Sequence, residues 1–112
     1  MIKIKIQRQK NKIIYFEIKG HANFSEYGED VICAAVSSVG QMTVNGLIEI
    51  LKLKKKLKFT EEDGYISCDL KNSGLTDDEL ENADILVESM YSYLKDVAKS
   101  YKNFVKLREI KK

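Results

Sequence analysis

The chain has 112 residues, with 44% hydrophobic and 9% aromatic side chains, two cysteines, one histidine and no proline. This is the size and composition of one globular domain over 1–112, and it excludes both a disulfide scaffold and a disordered chain. The net charge of +2 is small, but basic residues crowd the first twelve positions, the run Lys52 to Lys58 and the C-terminal tail, while acidic residues dominate from Glu61 to Asp96.

Ile2, Ile4 and Ile6 alternate with Lys3 and Lys5, the pattern of a half-buried strand. A polar turn through Lys10 and Asn11 leads to a second strand with Ile14, Phe16 and Ile18 facing in. The segment from Asp30 to about Leu51 is predicted to be a helix rich in small residues, which allow close approach to a sheet or a second subunit. Leu53, Leu57 and Phe59 then interleave with lysines as a strand would. The basic run is expected to be its solvated face, so direct RNA binding is not expected. Ile66, Cys68 and Leu70 form the other arm of a hairpin whose turn holds Asp63-Gly64.

Thr76 and Glu79 make a capping box, opening a helix whose apolar stripe runs through Leu80, Ala83, Val87, Met90, Leu94, Val97 and Tyr101. A short strand, Phe104 to Ile110, ends the chain. The order ββαββαβ predicts an α+β fold with two helices on one face of a mixed or antiparallel sheet. No stretch of eighteen apolar residues and no signal-peptide pattern is present, so the expected location is cytoplasmic, without membrane contact.

The chemistry concentrates between Gly20 and Ser38. Gly20-His21-Ala22 ends the second strand, and Asp30, a good N-cap residue, would place Cys33 at the third position of the first helix. A thiol in a first helical turn faces unpaired N–H groups and partial positive charge, which lower a thiol pKa from about 8.5 toward neutrality. His21, the one histidine, lies close enough in sequence to act as its base. On composition alone an ordinary buried thiol and a surface imidazole remain open. Cys68, alternating with Ile66 and Leu70, is expected to be a buried apolar residue. No Cys-x-x-Cys supports redox chemistry, and one histidine with two cysteines does not supply a structural metal site. No cofactor is expected.

Gly20-His21-Ala22 followed by Gly28-Glu29-Asp30-Val31-Ile32-Cys33-Ala34-Ala35-Val36-Ser37 resembles the ribosomal-processing cysteine protease family, over nearly the whole chain. The resemblance implies a homodimeric bacterial endopeptidase. Its substrate would be the N-terminal extension of large-subunit ribosomal protein number twenty-seven, cut after an aromatic pair. Carried onto this chain, Cys33 becomes the nucleophile and His21 the base and later the acid. Asp30, Ser37, Gly20 and Ala22 would support the site, and Asn23, Phe24, Ser25, Glu26, Tyr27 and Gly28 would form a loop over it. Phe24 and Tyr27 could meet a substrate aromatic, or pack on their own domain. The competing reading is a non-catalytic ribosome-associated module binding RNA or protein.

Overall fold

The computed structural model describes residues 1–20 and 29–112, and the side chains of Glu29 and Asp30 are not among the described groups. Along the chain run β1 (Ile2–Gln9), β2 (Lys12–Lys19), α1 (Glu29–Asn45), a π-helical turn (Gly46–Ile50), β3 (Lys58–Glu62), β4 (Tyr65–Asp69), α2 (Asp77–Ser100) and β5 (Val105–Lys111). The five strands form one sheet in the order β3-β4-β2-β1-β5. Every neighbouring pair is antiparallel except β1 and β5, which run parallel. The fold is therefore α+β with a mixed sheet.

The hairpin joining β1 to β2 turns at Lys10 and Asn11, both at positive φ (51° and 66°). That geometry matches the right-handed twist of the flanking strands. Beyond the turn the register slips between Gln7 and Arg8, so both Ile13 and Ile14 are buried. Ile4 pairs with Ile18, and Ile18 with Ile66. Ile6 pairs with Phe16, and Phe16 with Cys68. These rows are the core face, and burying each large aliphatic there contributes about 1.5–3 kcal/mol.

α1 and the π turn that continues it pack on this face through Cys33, Val36, Gly40, Val44 and Leu47, all buried and spaced three or four apart. The approach is close at Gly40, where a Cβ would lie 2.7 Å from Ile18 Cδ1 and 3.1 Å from Ile66 Cδ1, both far ends of flexible side chains. The segment Val31–Ile50 has the length and mean hydropathy (1.5) of a membrane span, a property missed by counting uninterrupted apolar residues. Its stripe on the sheet accounts for only part of that hydropathy, because Val31, Met42 and Ile50 are exposed.

The helix starts earlier than expected. It is already helical at Glu29, so Asp30 lies inside it and not at its cap, and Cys33 is at least its fifth residue and not the third. Cys33 thus lies beyond the four unpaired N–H groups of the helix start.

At the other end the helix widens to a π turn, with Leu51 N–H donating to the Gly46 carbonyl at 3.0 Å. It stops at Lys52, which takes the left-handed conformation (φ 56°). Lys54 to Lys56 form a turn, in which the N–H of Leu57 donates to the Leu53 carbonyl at 2.8 Å. The basic run from Lys52 to Lys56 is therefore a helix stop and a turn, and the expected strand begins only at Lys58, the first residue of β3. Leu53 and Leu57 are buried because they are four apart on one turn.

α2 opens with the expected capping box: Glu79 N–H donates to Thr76 Oγ1 at 3.1 Å, and Thr76 N–H to Glu79 Oε1 at 2.9 Å. Its stripe is buried from Ala83 to Val97, but Tyr101 is the C-cap and is exposed, and Tyr91 is buried instead.

Candidate active site

Of the two cysteines, Cys68 is fully buried on β4 between Phe16 and Phe59 in the strand register. Burial, with a smaller contribution from the Asp69 charge, pushes its thiol up to about 12. It remains a neutral thiol at any physiological pH, unsuited to nucleophilic attack.

Cys33 is 9% exposed and reaches the end of β2: its Sγ lies 4.0 Å from the Gly20 carbonyl oxygen. Gly20 is held there on two sides. Its N–H donates to the Gly64 carbonyl at 3.0 Å, and a Cβ on it would sit 2.9 Å from Ile2 Cα. Only glycine allows the end of β2 to lie this close to the β1 backbone. Gly64, at φ 74°, turns the β3–β4 hairpin so that its carbonyl meets Gly20.

Cys33 and Gly20 line a cavity of about 100 Å³ together with Ser37, Gln41, Glu62, Asp63, Gly64 and Tyr65. Ser37 is one helical turn from Cys33, on the same face of α1, which brings two of the expected site residues into one cavity. Gln41 continues the row another turn on. A larger groove of about 670 Å³ shares Gln41, Glu62 and Asp63 with this cavity and extends along α1 past Val44, Ile48 and Phe59. The hairpin residues Glu62, Asp63 and Tyr65 were expected only as a turn and a strand, because hairpin chemistry says nothing of what a turn packs against. The spacing 33-37-41 was visible in the sequence as one helical stripe.

His21, Ala22 and the loop Asn23, Phe24, Ser25, Glu26, Tyr27 and Gly28 lie outside the described residues, as does the side chain of Asp30. Among the described residues, no three His, Cys, Asp or Glu side chains are grouped to hold a metal ion.

A thiol on a helix that packs against a strand end, facing a cavity continuous with a surface groove, is the arrangement of a cysteine hydrolase on an α+β frame. Residues 1–106 match the family model of the cysteine protease Prp, so the chain belongs to that family and is a cysteine protease. It is 35% identical over 104 residues to the ribosomal processing cysteine protease Prp of Bacillus subtilis, covering 92% of each chain. It is 31% identical over 109 residues to the Mycoplasma genitalium protein of the same name, covering 97% of this chain and 96% of that one.

Among solved structures, a Streptococcus mutans protein superposes with a TM-score of 0.78 at 31% identity, over 100% of this chain and 96% of the other. The ribosomal processing protease Prp of Staphylococcus aureus, solved with a covalently linked product peptide, superposes with a TM-score of 0.73 at 25% identity. That match covers 97% of this chain and 99% of the other.

Proposed function

We propose that this protease removes the N-terminal extension of large-subunit ribosomal protein twenty-seven by cutting after an aromatic pair, with Cys33 as nucleophile and His21 as base. The observation that carries this reading is the 4.0 Å approach of Cys33 Sγ to the carbonyl of Gly20, the residue bonded to His21. That approach sets the thiol beside the residue that precedes His21 in the chain, while Cys68 is buried and protonated. That the Staphylococcus aureus relative has been captured covalently linked to its product peptide fits an acyl-enzyme route.

In this mechanism His21 takes the Cys33 proton, and the thiolate attacks the scissile carbonyl carbon. The C–N bond breaks as the imidazolium returns the proton to the leaving amine. The resulting thioester is hydrolysed by water, which His21 deprotonates in turn. Ser37, in the cavity with Cys33, and Gly20, through its pinned backbone, support the geometry.

The reading extends to a cytoplasmic homodimer. Met42, Ile50 and Tyr93 are 70%, 73% and 52% exposed, and they rim an apolar groove between α1 and α2 floored by Val39, Gly46, Leu86 and Met90. An apolar patch of that kind is what a subunit contact would cover.

The test is to incubate the protein with a peptide spanning the extension from the same genome and read the products by mass spectrometry. One cut after the aromatic pair, lost in Cys33→Ala and in His21→Ala, is expected. Cleavage elsewhere would refute the specificity, and an active Cys33→Ala would refute the mechanism.

A further inference from the structure

Both helices cover one face of the sheet, and the other face carries a set of cations that no stretch of sequence reveals. Lys3 and Lys5 come from β1, Lys19 from β2, and Lys106 and Arg108 from β5. The strand register lays them side by side. Lys3 is directly opposite Lys19 on one side and Lys106 on the other, and Lys5 is opposite Arg108.

Like charges placed directly across a sheet repel, and no ion pair holds any of the five among the described residues. The carboxylate at the centre is Glu17, opposite Lys5. Burial works to raise its pKa, yet hydrogen bonds from Tyr15 (2.7 Å) and Tyr65 (3.0 Å), with the charges of Lys5 and Lys19, hold it below the ordinary value. Toward β4 and β3 the same face carries Asp69, Glu62 and Lys58, so the positive charge is concentrated on β1, β5 and the end of β2, where five cations surround one anion. The five cations and Glu17 line a shallow depression of about 360 Å³.

The chemistry of the face selects its occupant. Lysine is depleted at protein–protein contacts. A membrane-surface site carries apolar side chains to insert, whereas among the described residues the exposed large apolar ones, Met1 apart, all belong to the helices or their ends. Rows of exposed lysine and arginine without apolar anchors are complementary to a phosphodiester backbone, which gains affinity by releasing counterions.

We propose that the open face of the sheet binds RNA through its phosphate backbone, by means of Lys3, Lys5, Lys19, Lys106 and Arg108. It is a second site, on the side of the sheet away from α1 and the Cys33 thiol. RNA bound there would hold the protease against a ribonucleoprotein while leaving the groove along α1 open to a peptide. The basic run at Lys54 to Lys56 plays no part, because it sits in the turn after α1.

The experiment is a fluorescence-polarisation titration of a labelled RNA hairpin, with salt raised from about 50 to 200 mM. The expected slope of log K against log salt is about −2 to −4, at roughly 0.7–0.9 per phosphate contact. The triple variant K5Q/K19Q/R108Q should bind about tenfold more weakly or worse and flatten the slope by about two units. Circular dichroism checks that it folds, and K106Q/R108Q repeats the test if it does not. The control K54Q/K55Q/K56Q removes the same charge elsewhere and should bind as the parent does. Equal loss in both triple variants, tighter binding to phosphatidylserine vesicles than to the hairpin, or no binding of the parent to the hairpin would overturn the proposal.

Discussion

Replacing Gly20 by alanine tests how the site is built. The new Cβ would lie 2.9 Å from Ile2 Cα and 3.0 Å from Ile2 Cγ1. The nearer atom is backbone of β1, itself fixed because Ile2 N–H donates to the Phe104 carbonyl at 2.8 Å and Ile2 pairs with Val105. No side-chain rotation relieves that contact, so the end of β2 must move outward by several tenths of an ångström. Overpacking of this kind costs about 1–3 kcal/mol, or a fall in Tm of several degrees for a domain of this size.

The movement falls on the carbonyl that faces Cys33 Sγ and on the peptide that leads to His21. A displacement approaching 1 Å in a catalytic group lowers the rate about 100-fold, so kcat/KM should drop by about one to two orders of magnitude. Gly40→Ala is the control. Its Cβ would meet the far ends of Ile18 and Ile66 at 2.7 and 3.1 Å, side chains able to rotate, so it should cost stability with a much smaller loss of activity. Peptide-cleavage kinetics and melting curves on both variants decide the matter. A Gly20→Ala enzyme with parental kcat/KM and unchanged Tm would refute the idea that Gly20 sets the distance between strand end and thiol.

Cys68→Ala should keep full activity and lose about 1–2 kcal/mol to the small cavity it leaves, measured by urea unfolding. The Cys68 thiol is held up at about 12 in the folded state against an ordinary value of 9.0. Because the unfolded chain gives up that proton first, stability is complete below pH 9 and falls as pH rises toward 12. Cys68→Ala should flatten this alkaline loss, and an identical pH profile in the two proteins would argue against the assigned burial. At the opposite end of the scale, Arg8 bonds Glu88 and Glu109 (2.9 Å) and lies 5.4 Å from the Tyr91 ring centroid. The hydrogen bond from Arg8, working against burial, holds the Glu109 carboxyl below its ordinary 4.5. That stabilisation is present above pH 4.5 and lost as pH falls below it, so Arg8→Met should lower stability at neutral pH and flatten the acid limb. An acid-unfolding midpoint and neutral stability equal to the parent's would show the cluster to be inert.

Much of the fold was legible because its signals are local. The Ile2-Ile4-Ile6 alternation, the Asp63-Gly64 turn and the Thr76/Glu79 box each specify their own element through neighbouring residues. The basic run misled because Leu53, Leu57 and Phe59 satisfy an alternating pattern, while the left-handed stop at Lys52 has no glycine to announce it. Tyr101 left the helical stripe because α2 ends there, freeing the chain to turn toward β5.

Of the candidate site, the contrasting placement of the two cysteines was legible, one on a strand and one on a helix. The residues opposite Cys33 were not. Gly64 and Tyr65 reach the cavity by the pairing of β4 with β2, a contact across nearly fifty residues of chain that no local pattern encodes. The cationic sheet face escaped for the same reason, since β5 pairs in parallel with β1 from the far end of the sequence.

The central claim, that Cys33 attacks the peptide bond, is tested most directly by trapping the acyl-enzyme. The protein is mixed with the extension peptide, quenched in acid within the first turnover, and analysed by intact-protein and tryptic mass spectrometry. The account predicts one added mass, equal to the N-terminal product less water, on the tryptic fragment that carries Cys33. A thioester on Cys68, or continued cleavage by Cys33→Ala without any adduct, would contradict it.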